Sequence, residues 1–354
     1  MSTDSLPKTP ATQAASNGAD SFPTNPILVQ RTRGNHVESV HRGSWVLVDS
    51  AGQVLDGAGA THYPVFARSS TKALQALPLI ETGAADAFEM SKPELALAVA
   101  SHRGETCHTE VVEGLLRRIG LAVGDLRCGS HRPYDSTRWQ SMEEAGEDFS
   151  ALHNNCSGKH AAFLALAKHV GDASASYIDP LSRGQQLVRQ ALLEMTGTSP
   201  QDLVVAVDGC SAPTFRLPLV NLATGFARFA NPEGLPEIRR HAAQRLAEAV
   251  ALHPDLIGGT RNQICSAISR ATGGRLFPKI GAEAVYVIGE RGGQRALAIK
   301  MDDGQAAGLP VLILHLLRRC GLAREAELNS LAAWAAGPLN NWAGLVVGQT
   351  TVMD

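Results

Sequence analysis

Strand-forming runs in this chain of 354 residues lie at its two ends, with a long stretch of helical pattern between them. Near the start come Ile27-Leu28-Val29-Gln30, Val37-Glu38-Ser39-Val40-His41 and Ser44-Trp45-Val46-Leu47-Val48-Asp49, then the turn Ser50-Ala51-Gly52-Gln53 into Val54-Leu55. Near the end, Ala284-Val285-Tyr286-Val287-Ile288 and Arg295-Ala296-Leu297-Ala298-Ile299-Lys300 flank a glycine-bearing hairpin turn over 289–294. Strands must pair to satisfy their backbone groups, so terminal runs this far apart in sequence predict a single antiparallel sheet made from both ends. With helices packed against that sheet, the fold class is α+β.

Apolar spacing predicts helices over 70–82, 92–101, 107–119, 159–169, 181–196, 236–251 and 261–272, and near 305–320 and 324–335. Pro93, Pro180 and Pro236 stand near helix starts, and Gly83, Gly120 and Gly197 near ends. Residues 1–26 are rich in Ser, Thr, Pro, Ala and Asn with no apolar centre, the composition of a disordered tail. A net charge of −2 without like-charge blocks argues against nucleic acid or an anionic membrane as partner. No apolar run reaches the length of a membrane span. Six scattered cysteines are too few for a disulfide scaffold, so reduced thiols and a cytoplasmic location are expected.

Lysine is scarce: seven residues against twenty-five arginines. Arginine serves equally well for surface charge but cannot surrender its proton, so a lysine kept in such a chain is a candidate for base chemistry. Lys72, Lys159 and Lys279 all sit among small, polar residues. Ser69-Ser70-Thr71-Lys72 precedes the apolar Ala73-Leu74-Gln75-Ala76-Leu77. A three-residue step brings two side chains to one helix face, so Lys72 is expected to reach the Ser69 hydroxyl, with helix-start amides to hold an oxyanion. The bland alternative is a capping serine with a solvated lysine one turn on. Ser5-Leu6-Pro7-Lys8, in the tail, has the same spacing by chance. A lysine base needs its pKa of about 10.4 lowered by roughly two units or more. Lys279, leading into the 284–288 strand, is placed to supply the neighbouring charge. S-x-x-K opening a helix and K-x-G on a late strand follow the layout of penicillin-binding proteins and class A β-lactamases. Ser101 in Ser101-His102-Arg103-Gly104-Glu105 is the candidate second hydroxyl, and Ile280 replaces the hydroxyl residue of K-T-G.

A second cluster joins Asn154-Asn155-Cys156-Ser157-Gly158-Lys159-His160 to Asp208-Gly209-Cys210. Cys156 and Lys159 share a helix face by spacing, and a Cys156–Cys210 thiolate pair suits zinc if a neutral lysine completes the set. The other reading is two core thiols and a solvated lysine. No Walker A loop and no G-x-G-x-x-G in a suitable setting occurs, so no nucleotide cofactor is expected.

Arg68-Ser69-Ser70-Thr71-Lys72, Ala100-Ser101-His102-Arg103-Gly104-Glu105, Asn155-Cys156-Ser157-Gly158-Lys159-His160, Asp208-Gly209-Cys210 and Lys279-Ile280-Gly281-Ala282-Glu283, taken in order, resemble the rhizobial-type (class 3) L-asparaginases of the asparaginase II family. The resemblance implies a serine β-lactamase-like fold, a homodimer, and hydrolysis of L-asparagine to L-aspartate and ammonia. It implies catalytic roles for Ser69, Lys72, Ser101 and Lys279, substrate contacts from Arg68, His160 and Asp208, and a metal site, usually zinc, at Cys156, Lys159 and Cys210. Residues 27–354 are then a single catalytic domain, with Ser69 the expected nucleophile and the metal tuning the site. Ile280 departs from the family's common K-G-G-A-E. Two rivals use the same residues: a β-lactamase or peptidase, and a non-catalytic zinc-dependent amino-acid-binding protein.

Overall fold

The computed structural model describes residues 21–335 and 337–353. The main sheet is formed by β1 (Ile27–Arg33), β2 (His36–Asp49), β3 (Val54–Ala58), β7 (Leu276–Gly281), β8 (Val285–Glu290), β9 (Arg295–Met301), β10 (Pro338–Asn340) and β11 (Val346–Val352). A small second sheet contains β4 (Pro64–Phe66), β5 (Val204–Val207) and β6 (Pro213–Pro218). The main sheet runs β10-β11-β1-β2-β9-β8-β7, with β3 also on β2, and every neighbouring pair is antiparallel. The two ends of the chain therefore interleave: Val46 of β2 lies opposite Ala298 of β9, and Gln30 of β1 opposite Thr351 of β11.

Consecutive residues Trp45–Val48 are all buried, and side chains alternate along a strand, so both faces of β2 are covered. The helix Leu219–Ala230 lies against β2, β8 and β9. Its Phe226 and Phe229 pack against Phe277 of β7, with ring centroids 6.0 and 4.9 Å apart. This helix was not expected from sequence, although its polar residues Asn221, Thr224 and Arg228 recur at helical spacing along an otherwise apolar run. Arg319, at the end of the helix Leu309–Arg319, stacks over the Trp45 ring.

The helical run expected over 70–82 is divided into a 3-10 turn, Arg68–Thr71, and two short helices, Lys72–Gln75 and Leu77–Glu81. Pro78, without an N–H, falls in the first turn of the second. Of the expected tail, residues 1–20 lie outside the described residues. In the remainder, Asn25 is buried: it donates to Asp302 at 2.8 Å and accepts from Ser44 and the Ala60 amide. The packed chain thus starts before residue 27. Among the described residues, no helix is long and apolar enough to cross a membrane.

Candidate active site

Five segments far apart in sequence meet at one cleft of about 400 Å³, with Ser69, Ser101, Asn155, Cys156, Asp208, Cys210 and Ile280 in its lining. A larger cavity of about 630 Å³, between the helix Leu309–Arg319 and β11, is lined without any serine–lysine or thiol cluster.

The Arg68–Thr71 turn carries Ser69. Arg68 holds a left-handed φ of 51°, a strained conformation for a residue with a Cβ. Gly281 of β7 packs directly beneath this turn: a Cβ there would stand 2.7 Å from the Ala67 carbonyl oxygen. Ile280 keeps regular pairing with Tyr286 of β8, so its departure from the family pattern leaves the strand intact. Strand β7 is the last in the sheet, which is why Pro278 is tolerated in it.

Ser101 follows the helix Lys92–Ala98 and is tied down by its own backbone, whose N–H donates to Ile257 O at 3.0 Å. The next residue, His102, is fully buried and joins this segment to the following one. Its Nδ1 accepts the Gly104 N–H, leaving Nε2–H to donate to Ser157 Oγ at 2.9 Å. Burial, with His108 and Lys72 nearby, holds His102 well below the usual imidazole range and so neutral.

The helix Ser157–Val170 presents Cys156 at its start, where Asn154 Oδ1 accepts the Cys156 N–H at 2.9 Å. Gly158 is needed at this contact, since a Cβ would stand 2.4 Å from the Leu97 carbonyl oxygen. The fifth segment is the turn between β5 and β6. It places Asp208 and Cys210 two residues apart, closed by a Ser211 N–H to Asp208 O bond of 2.9 Å.

The lysines are arranged differently from the sequence expectation. Lys72 is fully buried, and its Nζ lies 2.5 Å from Ala100 O, 3.1 Å from Ser101 Oγ and 3.2 Å from Cys156 Sγ. The expected contact with Ser69 is absent: among the described residues, nothing hydrogen-bonds the Ser69 hydroxyl. A buried ammonium needs several acceptors, and the Ala100 carbonyl and Cys156 sulfur offer them where a single serine one turn back does not. Lys279 Nζ lies 2.8 Å from Ser101 Oγ and 3.0 Å from Ile280 O. Burial, with the Lys72 charge adding to it, pulls Lys279 down to about 7. Ser101 is thus bracketed by two buried lysines.

On the opposite wall, Arg68 Nε meets Asp208 Oδ1 at 2.5 Å, and Cys210 Sγ lies 3.3 Å from Asp208 Oδ2. Lys159 Nζ is 3.1 Å from Cys210 Sγ. The hydrogen bond from Cys210 lowers the Cys156 thiol well below its ordinary range, and Lys72 and Lys159 add to this against the effect of burial. The same contact and burial push Cys210 up, so the pair shares one negative charge. Burial works against the Lys159 ammonium, but Cys156, Cys210 and Asp208 outweigh it and raise its pKa. Burial likewise opposes the Asp208 carboxylate, and Lys159 and Arg68 reverse that.

Ligand atoms of Cys156, Asp208 and Cys210 all lie within 4.8 Å of one another. Two thiols and a carboxylate are a donor set that suits zinc, so the residues fit the metal that the resemblance implies. Asp208 joins the expected set. Lys159 is a cation beside Cys210, 3.1 Å from its sulfur, and would have to lose its proton to become a ligand. His160 does not line the cleft. It is fully buried behind Lys159, with Nδ1 2.6 Å from the Tyr177 hydroxyl, and burial and the lysine charges keep it neutral.

Arg103, His131, Tyr134 and Gln263 also line the cleft and were not singled out from sequence. Arg103 lies inside the Ser101–Glu105 motif, so its position was visible there. Tyr134 and Gln263 belong to no motif.

No curated protein matches this chain. The profile of the L-asparaginase II family matches residues 29–352, nearly its whole length and all five segments of the cleft. The chain belongs to the L-asparaginase II family.

Proposed function

We propose that this protein is an L-asparagine amidohydrolase that releases L-aspartate and ammonia through a serine acyl-enzyme, on a serine β-lactamase-like fold. The observation that carries the reading is Ser101 held between Lys72 and Lys279, with the unengaged Ser69 hydroxyl in the same cleft.

The two serines divide the work. Ser69 attacks the side-chain amide carbon of asparagine, since its hydroxyl is committed to no protein group. Its proton leaves through Ser101 to Lys279, the amine that burial pulls down to about 7. Lys72, 3.1 Å from Ser101 Oγ, steadies the developing negative charge on the serine oxygens. Amides at the start of the Arg68–Thr71 turn, which have no intrahelical partner, hold the oxyanion. The proton then returns from Lys279 to the departing ammonia, and water hydrolyses the aspartyl ester by the same route in reverse.

Asp208 takes the α-ammonium of the substrate. Cys156 and Cys210, with Asp208 and a deprotonated Lys159 beside them, would hold zinc. A bound zinc ion would supply positive charge that keeps both sulfurs as thiolates and fixes the Asp208 turn. His160 is a positioning residue here, bracing Lys159 through the helix that carries both.

A homodimer belongs to the same reading. It is supported by the exposed apolar side chains Trp342, Leu345 and Val346 near the β10–β11 turn, which a second copy would cover. The deciding experiment for the function is ammonia release from L-asparagine by the purified protein, with intact-mass analysis of a briefly reacted sample. An aspartyl adduct on Ser69 is expected. No ammonia at any pH between 6 and 10 would refute the activity, and an adduct on Ser101 would reverse the serine roles.

A further inference from the structure

The cleft carries one guanidinium with no acidic partner. Arg68 is matched to Asp208. Arg103 also lines the cleft, yet among the described residues no carboxylate pairs with it. Its Nη2 donates to the Tyr134 carbonyl, which fixes the end of the side chain, and its Nε is buried without a hydrogen-bond partner. The surrounding wall is fixed too: His131 Nε2 accepts the Asn155 N–H at 3.1 Å, and His131 stacks on Tyr134 with centroids 4.6 Å apart.

The charges in the cleft can be matched one against another. Asp208 is the one carboxylate among the residues lining it, and Arg68 and Lys159 already surround Asp208. An amino-acid ligand brings one ammonium and one carboxylate. Asp208 answers the ammonium, which leaves a ligand carboxylate to be met by a cation not already engaged. Lys72 and Lys279 are turned to Ser101 at the reacting end, so they are not available for it. An arginine held by one bond to a carbonyl keeps the rest of its planar fork for a carboxylate.

We propose that Arg103 binds the α-carboxylate of the substrate and so makes the cleft selective for free α-amino acids over amides and peptides that lack that carboxylate. The inference rests on the amidohydrolase reading of the same cleft, and it adds a specificity-determining residue to it.

The test compares L-asparagine with L-asparaginamide, whose α-carboxylate is replaced by an amide, in wild type, Arg103→Ala and Arg103→Lys. A charge-assisted pair of this kind is worth about ten- to hundred-fold in binding. In Arg103→Ala the KM for asparagine is expected to rise by about that factor, more than kcat falls. The KM for asparaginamide stays within about two-fold, so the wild-type preference for the free acid collapses; Arg103→Lys restores part of it. If Arg103 only props the Tyr134 loop, both substrates weaken equally, and that result overturns the proposal. An unchanged preference in Arg103→Ala overturns it as well.

Calorimetric titration with L-aspartate on the same three proteins separates this inference from the parent reading. Aspartate binding that depends on Arg103, without ammonia release by wild type, would refute the activity and leave the anchor standing. Ammonia release with aspartate binding indifferent to Arg103 would do the opposite, and absence of aspartate binding by wild type would also refute the anchor. Thermal melts check folding, and Arg103→Gln replaces the alanine variant if that one does not fold.

Discussion

Lys279 Nζ lies 2.8 Å from Ser101 Oγ, a contact between a strand at the edge of the sheet and a loop 178 positions earlier in the chain. A buried amine lowered to about 7 beside a hydroxyl is a proton acceptor at physiological pH, which a surface lysine is not.

The first prediction follows from that pKa. Below about pH 7 Lys279 is protonated and cannot take a proton, so kcat/KM for asparagine should rise about tenfold per pH unit up to pH 7 and level off above it. Lys279→Met should lose about 10²–10⁴-fold in rate and with it this ascending limb. A pH–rate profile of ammonia release checks both; an activity optimum near pH 5 would sink the assignment. Stability carries the same signature. The unfolded chain binds the Lys279 proton up to the ordinary value of 10.5 and the folded chain only up to about 7. Stability should therefore rise with pH between these values, and by less in Lys279→Met, as thermal melts would show.

The two serines should fail differently. In the proposed scheme Ser69 supplies the attacking oxygen, so Ser69→Ala is expected to abolish both ammonia release and the aspartyl adduct. Ser101→Ala removes the link to Lys279 and should slow adduct formation by about 10²–10⁴-fold while leaving the adduct on Ser69. Single-turnover mass spectrometry distinguishes these outcomes.

Cys156 Sγ lies 3.2 Å from Lys72 Nζ and within the field of Lys159. Replacing it with alanine takes away the negative charge that Lys72 and Lys159 share, leaving two buried cations short of an acceptor. Cys156→Ala is expected to destabilise the fold by about 1–3 kcal/mol in urea titration. It should also raise KM for asparagine more than it lowers kcat. Elemental analysis of purified wild type should find one zinc per chain, and of the variant, far less. Equal zinc in both would exclude Cys156 as a ligand.

Gly281 is the seat of the Ser69 turn. A methyl group there meets the Ala67 carbonyl oxygen at 2.7 Å, so Gly281→Ala must push the Arg68–Ser70 backbone away. The expected cost is about 1–3 kcal/mol in stability. Activity should fall further than that loss explains, because the turn carries Ser69 and the amides proposed to hold the oxyanion. Wild-type activity in a folded Gly281→Ala protein would detach the turn from catalysis.

The middle of the sheet was legible in the sequence, where Trp45–Val48 and Val285–Ile288 announce themselves; β10 and β11, short or half-exposed and beyond the helix expected near 324–335 to close the chain, were not. Helices with one apolar face, such as Arg183–Thr196, were equally plain. The helix Leu219–Ala230 was passed over, although the stripe Asn221, Thr224, Arg228 marks its one less buried side. Helix Ser136–Ala145 was missed because it is largely polar, with only Met142 buried.

Ser69, Lys72, Ser101, Cys156, Lys159, Asp208, Cys210 and Lys279 were legible in the sequence as rare or reactive residues in small, polar settings, and the fold brings all eight to one place. Their partners were not legible there. Spacing along a helix paired Lys72 with Ser69, but a buried ammonium takes the acceptors that packing sets around it, and these are Ala100, Ser101 and Cys156. The same holds for Lys159 turned to the Cys210 sulfur, for His160 turned to Tyr177, and, among the described residues, for Arg103 left without an acid. Residue type is local information, whereas charge pairing depends on which distant segments the fold brings within a few ångströms.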